Sequence, residues 1–191
     1  MAHTLRQPEQ LRVLANGVRQ ELVDTLGALG GQATVRELAT QLGRPMDGLY
    51  YHLRQLQQAG LIEQVPAEQV PADGSGERNY RLSAGDRARL QIDYATAPSQ
   101  DLLAVVQSLL RVAESDFRQG LSAPDTVCSG PDRELWAGRN KGWLDAEGLR
   151  EANQLIERLT ELLRQGPRRP DDRLYALSFV LAPQNVREPR R

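Results

Sequence analysis

The stretch that decides the fold is GLYYHLRQLQQAGLIEQ, Gly48 to Gln64. With Met46 just ahead of it, Leu49, Leu53 and Leu56 recur at spacings of three, four and three, the mark of a helix with one apolar stripe. Subtracting that stripe leaves Asp47, Gly48, Tyr51 and Arg54 on the opposite face, with Tyr50 and His52 on the flanks. The spacing predicts a helix from about Met46 to Ala59, stopped by Gly60. Beyond the glycine the period drops from 3.6 to 2. Leu61 to Val65 reads as a strand and Arg78 to Leu82 as its partner. Between them, Pro66 to Gly76 holds two prolines and two glycines, which predicts a long hairpin loop.

Working upstream, Thr34-Val35-Arg36-Glu37 has the form of a capping box and opens a short helix, Val35 to Leu42, which Gly43 closes. Two short helices joined by a tight glycine-containing turn make a helix-turn-helix, and the hairpin behind them makes a wing. Further upstream, Leu11, Leu14, Val18, Leu22, Val23, Leu26 and Leu29 follow helical spacing from Glu9 to Leu29. Pro8 suits the start, Gly30-Gly31 the end, and Asn16-Gly17 a break between two pieces. After the wing, Ser83 to Asp86 leads into a further helical stretch that fades by Ala95.

In such a unit the second helix lies in the major groove and reads base edges from its N-terminal half. Tyrosine can donate and accept there, and arginine can fork onto guanine or grip a phosphate. The candidate DNA-binding residues are Asp47, Gly48, Tyr50, Tyr51, His52 and Arg54 on the helix and Arg78 and Arg81 on the wing. Each has a plainer reading. Tyr50 and His52 can serve helix packing, Arg54 can clamp phosphate rather than read a base, and the wing arginines can be solvated strand charge.

Three segments together resemble the ArsR-type winged helix-turn-helix regulators: Leu14 to Arg19, Val35 to Glu63 and Gly76 to Leu82. The most specific part is Tyr51-His52-Leu53-Arg54-Gln55-Leu56, followed by Ala59-Gly60-Leu61-Ile62 and a charged wing. The resemblance covers roughly the first 90 residues. It implies a bacterial, dimeric transcription regulator that binds double-stranded DNA sequence-specifically. Two departures stand out. The founding metal sensors carry paired cysteines in the helix before the turn, and Val35 to Leu42 has none. Small hydroxyl residues usually open the recognition helix, where this chain has Pro45, Asp47 and Gly48. The operator of a relative therefore does not transfer.

The second half is a separate unit after the boundary at Ala97-Pro98-Ser99. We expect a DNA-binding domain over residues 1–95 and a C-terminal, helix-rich α/β module over 96–191 for dimerisation and effector binding. From Asp101 to Phe117 the residues Leu103, Val106, Leu110, Ala113 and Phe117 form a seam at spacings of three, four, three and four, widened by Leu102 and Leu109. This is the expected dimer interface. Leu149, Ala152, Ile156, Leu159 and Leu163 repeat the pattern on a helix from Ala146 to Leu163, capped by Asp145. The helices could satisfy each other within one chain, but both stripes are broad. Leu174 to Leu181 reads as a strand, and the tail from Pro183 as frayed. Trp136 and Trp143 read as anchors of a small second core or as walls of a ligand pocket.

Composition narrows the function classes. The net charge is -1, and the first 90 residues carry ten arginines against ten acidic residues. A basic face rather than a basic domain must therefore do any DNA binding. A winged helix used for protein contacts, without specific DNA binding, is the alternative. The one cysteine, Cys128, and the two histidines, His3 and His52, supply no metal set, so we expect no metal and no cofactor. No nucleophile–base pair or phosphate loop appears, and we expect no enzyme. The N-terminal residues lack a signal-peptide core and no apolar run is long enough to span a bilayer, which points to a cytoplasmic protein.

Overall fold

The capping box forms. Thr34 Oγ1 accepts the Glu37 amide at 3.1 Å, and the Glu37 carboxylate accepts the Thr34 amide at 2.8 Å. The helix it opens ends at Gly43, whose φ of 59° glycine adopts without steric cost. The computed structural model describes residues 3–5, 7–66, 78–83, 90–164 and 172–184. In chain order the elements are β1 (His3–Leu5), α1 (Pro8–Leu14), α2 (Gly17–Ala28), β2 (Gln32–Thr34), α3 (Val35–Leu42) and α4 (Met46–Gln58). There follow β3 (Ile62–Gln64), β4 (Asn79–Leu82), β5 (Leu90–Ile92), α5 (Ser99–Ser122) and α6 (Ala146–Leu162). The chain is helix-rich: an N-terminal winged helix-turn-helix with a small antiparallel sheet, followed by a helical C-terminal part.

The break expected at Asn16-Gly17 separates α1 from α2, and Asn16 caps α2 by accepting the Arg19 amide at 3.3 Å. Leu22 and Leu26 of α2, Val35 and Leu38 of α3, and Leu49, Leu53 and Leu56 of α4 are all essentially inaccessible. Leu61, Ile62, Tyr80 and Leu82 close the core from the sheet side. Each fully buried leucine contributes roughly 1.5–3 kcal/mol, so α4 is pinned by its stripe.

Three differences from the sequence reading have physical causes. The sheet has a third strand, in the order β2-β4-β3, with Gln32 opposite Arg81 and Thr34 opposite Asn79. Gln32-Ala33-Thr34 is too short to show a period of two. It is extended because the N-cap Thr34 needs β-region dihedrals, which the ladder to β4 shares. The helix expected after Ser83 is absent at Leu90–Ile92, which instead pairs in parallel with His3–Leu5. That partner is remote in sequence and invisible to local periodicity. Residues 84–89 of that stretch, the wing loop over 67–77 and the tail beyond Gln184 lie outside the described residues. Finally, Leu174 to Leu181 is not a strand: among the described residues no edge pairs with it, and its residues are exposed.

Helix α5 is longer than the expected Asp101–Phe117. It packs on α1 and α2 through Val105 and Ser108, with Gln20 Nε2 donating to the Val105 carbonyl at 3.1 Å. A Cβ on Gly17 would come within 3.1 Å of Val112 Cγ2, so a side chain there would need Val112 to shift by a few tenths of an ångström. The expected seam lies on the other side. Leu103 is 60%, Leu110 53% and Phe117 37% exposed, and Val106 and Ala113 are half-buried. Its own chain leaves the seam largely uncovered.

Two features of the α2–α5 contact generate tests. The Ser108 hydroxyl is fully buried and has no hydrogen-bond partner, a cost of about 1–3 kcal/mol for such a group. Ser108→Ala should therefore leave the urea midpoint unchanged or raise it; a loss above ~1 kcal/mol would mean the hydroxyl is bonded in solution. Nearby, Asp24 is exposed as a residue, yet crowding by protein atoms, then Asp116 and Glu21, push its carboxyl up to about 6, with Arg164 opposing. A folded-state pKa above the unfolded one means the folded protein holds the extra proton. The contribution of this carboxyl to stability is thus fullest at low pH and is lost as pH rises through about 6. After discounting for solvent screening, Asp24→Asn should raise Tm at pH 7.5 by on the order of 2–4 °C and by little at pH 4. Equal melting temperatures at pH 7.5 would show that the three carboxylates do not oppose folding.

Candidate nucleic-acid interface

Burial of Leu49, Leu53 and Leu56 dictates which residues α4 shows to solvent. Asp47, Gly48, Tyr51 and Arg54 are exposed, while Tyr50 and His52 are half-buried. Tyr51 is 62% exposed, its ring turned away from the leucine stripe. A Cβ at Gly48 would find no atom closer than Pro45 Cγ at 3.8 Å, so the fold does not itself require glycine there. Asp47 occupies the first turn of α4, where a carboxylate is favoured by the helix dipole.

The half-buried pair supports the exposed one. His52 meets the Tyr51 ring edge-on, with centroids 5.4 Å apart. Its Nδ1 is buried without a partner, and burial, then the charges of Arg19 and Arg44, lower its pKa. A neutral His52 therefore braces Tyr51 from behind. Tyr50 lies beneath the Arg78 guanidinium, 5.6 Å from ring centroid to Cζ, which docks the base of the wing on α4. The structure thus brings the wing arginine and the helix tyrosine together.

Arg81 is placed differently. Its Nε donates to Glu63 Oε1 at 2.6 Å, between two residues directly opposite in the β3–β4 register. It belongs to the sheet face, whereas Arg78 stands exposed at the strand entrance.

Two arginines join this face that the sequence reading did not single out. Arg19, on α2, is hydrogen-bonded to the Val13 carbonyl; burial lowers its pKa, while Tyr51 raises it. Arg44, in the turn between α3 and α4, pairs with Glu21 at 3.0 Å. The signal for Arg44 was its position immediately before Pro45, at the N-terminus of α4, where helix ends commonly hold phosphates. Arg19 gave no such signal, since helix crossing alone carries it to α4. The face therefore combines Arg19, Arg44, Arg54 and Arg78 with two tyrosines. Among the described residues, no group of three or more His, Cys, Asp or Glu side chains converges as a metal site would. No described helix is long and apolar enough to cross a membrane.

Comparison with known proteins bears on this same region. No curated protein matches the chain. Residues 14–65 match the family model of a helix-turn-helix domain, a span that runs from the end of α1 past β3 and contains α2, α3 and α4 entire. The exposed face of α4 is thus the second-helix face of a helix-turn-helix domain, the element that enters the major groove in DNA-binding proteins of this kind.

Proposed function

We propose that this protein is a sequence-specific transcription regulator of the ArsR-like winged-helix type, acting as a homodimer on a palindromic operator. One observation carries the reading: α4 buries all its large aliphatic residues and still presents Tyr51 and Arg54 to solvent, with Arg78 of the wing stacked beside them on Tyr50. In this reading residues 1–95 bind DNA, and residues 96–191 hold the dimer and take an effector, in a cytoplasmic protein without catalytic activity. Arg44 and Arg19 grip phosphate and position the helix. Tyr51 and Arg54 meet base edges, and Gly48 lets the backbone approach.

The dimer rests on the outward seam of α5. Leu103, Leu110 and Phe117 are exposed in the single chain, with Val106 and Ala113 between them, and a symmetry mate would cover all five. Two reading helices related by that axis would meet half-sites about one turn, ~10 bp, apart. A second reading, a winged helix for protein contacts alone, draws on the charge pairing of this face. Glu21 and Glu63 offset Arg44 and Arg81, leaving a modest positive field.

A titration of purified protein against fragments of the source genome separates the two readings. The regulator should favour particular palindromic fragments over bulk DNA, with affinity falling as salt rises. No preference at physiological salt would leave the protein-contact reading. Arg54→Ala should cost ~1–3 kcal/mol on the preferred site if the guanidinium reads a base; equal weakening on all sequences would assign it to phosphate.

Leu110→Glu tests the seam. An unpaired buried carboxylate costs several kcal/mol, so the variant should run as a folded monomer in light scattering and lose tight operator binding. A folded variant that stays dimeric would move the interface off α5.

A further inference from the structure

His52 carries a property that the packing of α4 alone does not require. One position after Tyr51, it falls at the edge of the leucine stripe, where an apolar side chain would leave no polar atom to satisfy. Instead its imidazole stands edge-on to the Tyr51 ring, with centroids 5.4 Å apart and planes at 73°, and buries Nδ1 without a hydrogen-bond partner. The charges set against it come from two elements. α2 supplies Arg19, anchored on the Val13 carbonyl, and the turn between α3 and α4 supplies Arg44, whose charge Glu21 of α2 offsets at 3.0 Å. Arg19 acts on Tyr51 as well, so the tyrosine, the histidine and the arginine form one cluster.

Such a cluster accepts one protonation state. Neutral imidazole carries a single proton, and with that proton on Nε2 the buried Nδ1 is a bare acceptor. Imidazolium donates from both nitrogens. Protonated in its seat, His52 would bury an N–H without an acceptor and place a full charge beside two guanidinium groups. Burial, then Arg19 and Arg44, accordingly hold its pKa below the ordinary histidine value. A histidine held neutral in this way favours the seated ring at pH above the ordinary value. That preference is lost as pH falls through the lowered one.

We propose that His52 is a positioning residue that makes recognition by the α4 face proton-dependent: the neutral ring holds Tyr51 for contact with a base edge, and a proton on Nδ1 turns the ring out to water and frees Tyr51. The inference rests on the DNA-reading face of the preceding section. Two kinds of binding then respond differently to acid. Phosphate contact depends on Arg19, Arg44 and the overall charge, and it strengthens as carboxylates are neutralised. Base contact needs an ordered Tyr51, and ordering one freed side chain on binding weakens affinity by about two- to tenfold. Acid therefore erodes sequence preference while bulk affinity rises.

Affinity of the full chain is measured from about pH 7.5 to about pH 5 for the genomic fragment that the wild type prefers and for sonicated bulk DNA, with His52→Phe and His52→Ala alongside. In the wild type the ratio of the two affinities should fall about two- to tenfold per reading helix. Phenylalanine keeps a ring edge on Tyr51 and takes no proton, so His52→Phe should hold its ratio across the range. His52→Ala lacks the brace; its ratio should be low at the start and fall no further. A wild-type ratio that stays flat or rises in acid overturns the proposal, as does a His52→Phe ratio that falls with it. A second readout needs no DNA. In protein labelled at histidine and tyrosine, the Tyr51 ring resonances should move with the titration of His52. The chain has two histidines, so His3→Gln assigns the signal. Tyr51 resonances that ignore His52 would sink the proposal even if His52→Phe failed to fold. If they follow His52 and no fragment is preferred, the DNA-reading face is wrong and the proton-dependent brace stands.

Discussion

Everything on the exposed face of α4 depends on the leucine stripe of that helix. Leu49, Leu53 and Leu56 are buried in the core shared with α2, α3 and the sheet. A helix turns 100° per residue, so pinning three leucines sets the direction of every other side chain on it. Tyr51 and Arg54 are exposed for that reason, and Tyr50 and His52 are caught at the edges. Rolling α4 by a single position would bury Tyr51 and expose a leucine, at a cost of several kcal/mol.

Around this axis the neighbouring elements serve as alignment devices. The capping box of α3 and the left-handed Gly43 set where one helix stops and the next begins. Arg78 stacked on Tyr50 docks the wing base at one flank of α4, and Arg19 and Arg44 crowd His52 at another. These contacts do two jobs. They satisfy half-buried groups, and they collect positive charge on one side of a protein whose net charge is -1. Local concentration of charge, rather than its total, is what an anionic partner would meet.

The C-terminal half follows a different logic. α5 is shared: Val105 and Ser108 face α1 and α2, whereas Leu103 and Leu110 face away. Beyond it the chain forms well-capped, hydrogen-bonded structure that leaves its apolar side in solvent. Its polar contacts are short-range in sequence or lie within this half of the chain, while α6 has no buried residue.

Much of the fold was legible in residue order because local rules govern it. The capping box at Thr34, the stop at Gly60, the break at Asn16-Gly17 and the outward residues of α4 all follow from interactions within one or two helical turns. The cap at Asp145 and the outward direction of the α5 seam were legible for the same reason. What residue order could not carry was pairing at a distance. β2 exists because Gln32–Thr34 lies against Asn79–Arg81, and β5 because Leu90–Ile92 meets His3–Leu5. Arg19 reaches the candidate interface only through helix crossing, while Arg81 is drawn into the sheet by Glu63. Leu174 to Leu181 has the composition of a strand and no edge to join. A strand is a property of two segments, and a helix largely of one. That is why the sequence alone determined the helices α1 to α6, their faces and the two wing strands, whose period of two is local, and only the tertiary structure decided β1, β2 and β5 and which charges stand beside them.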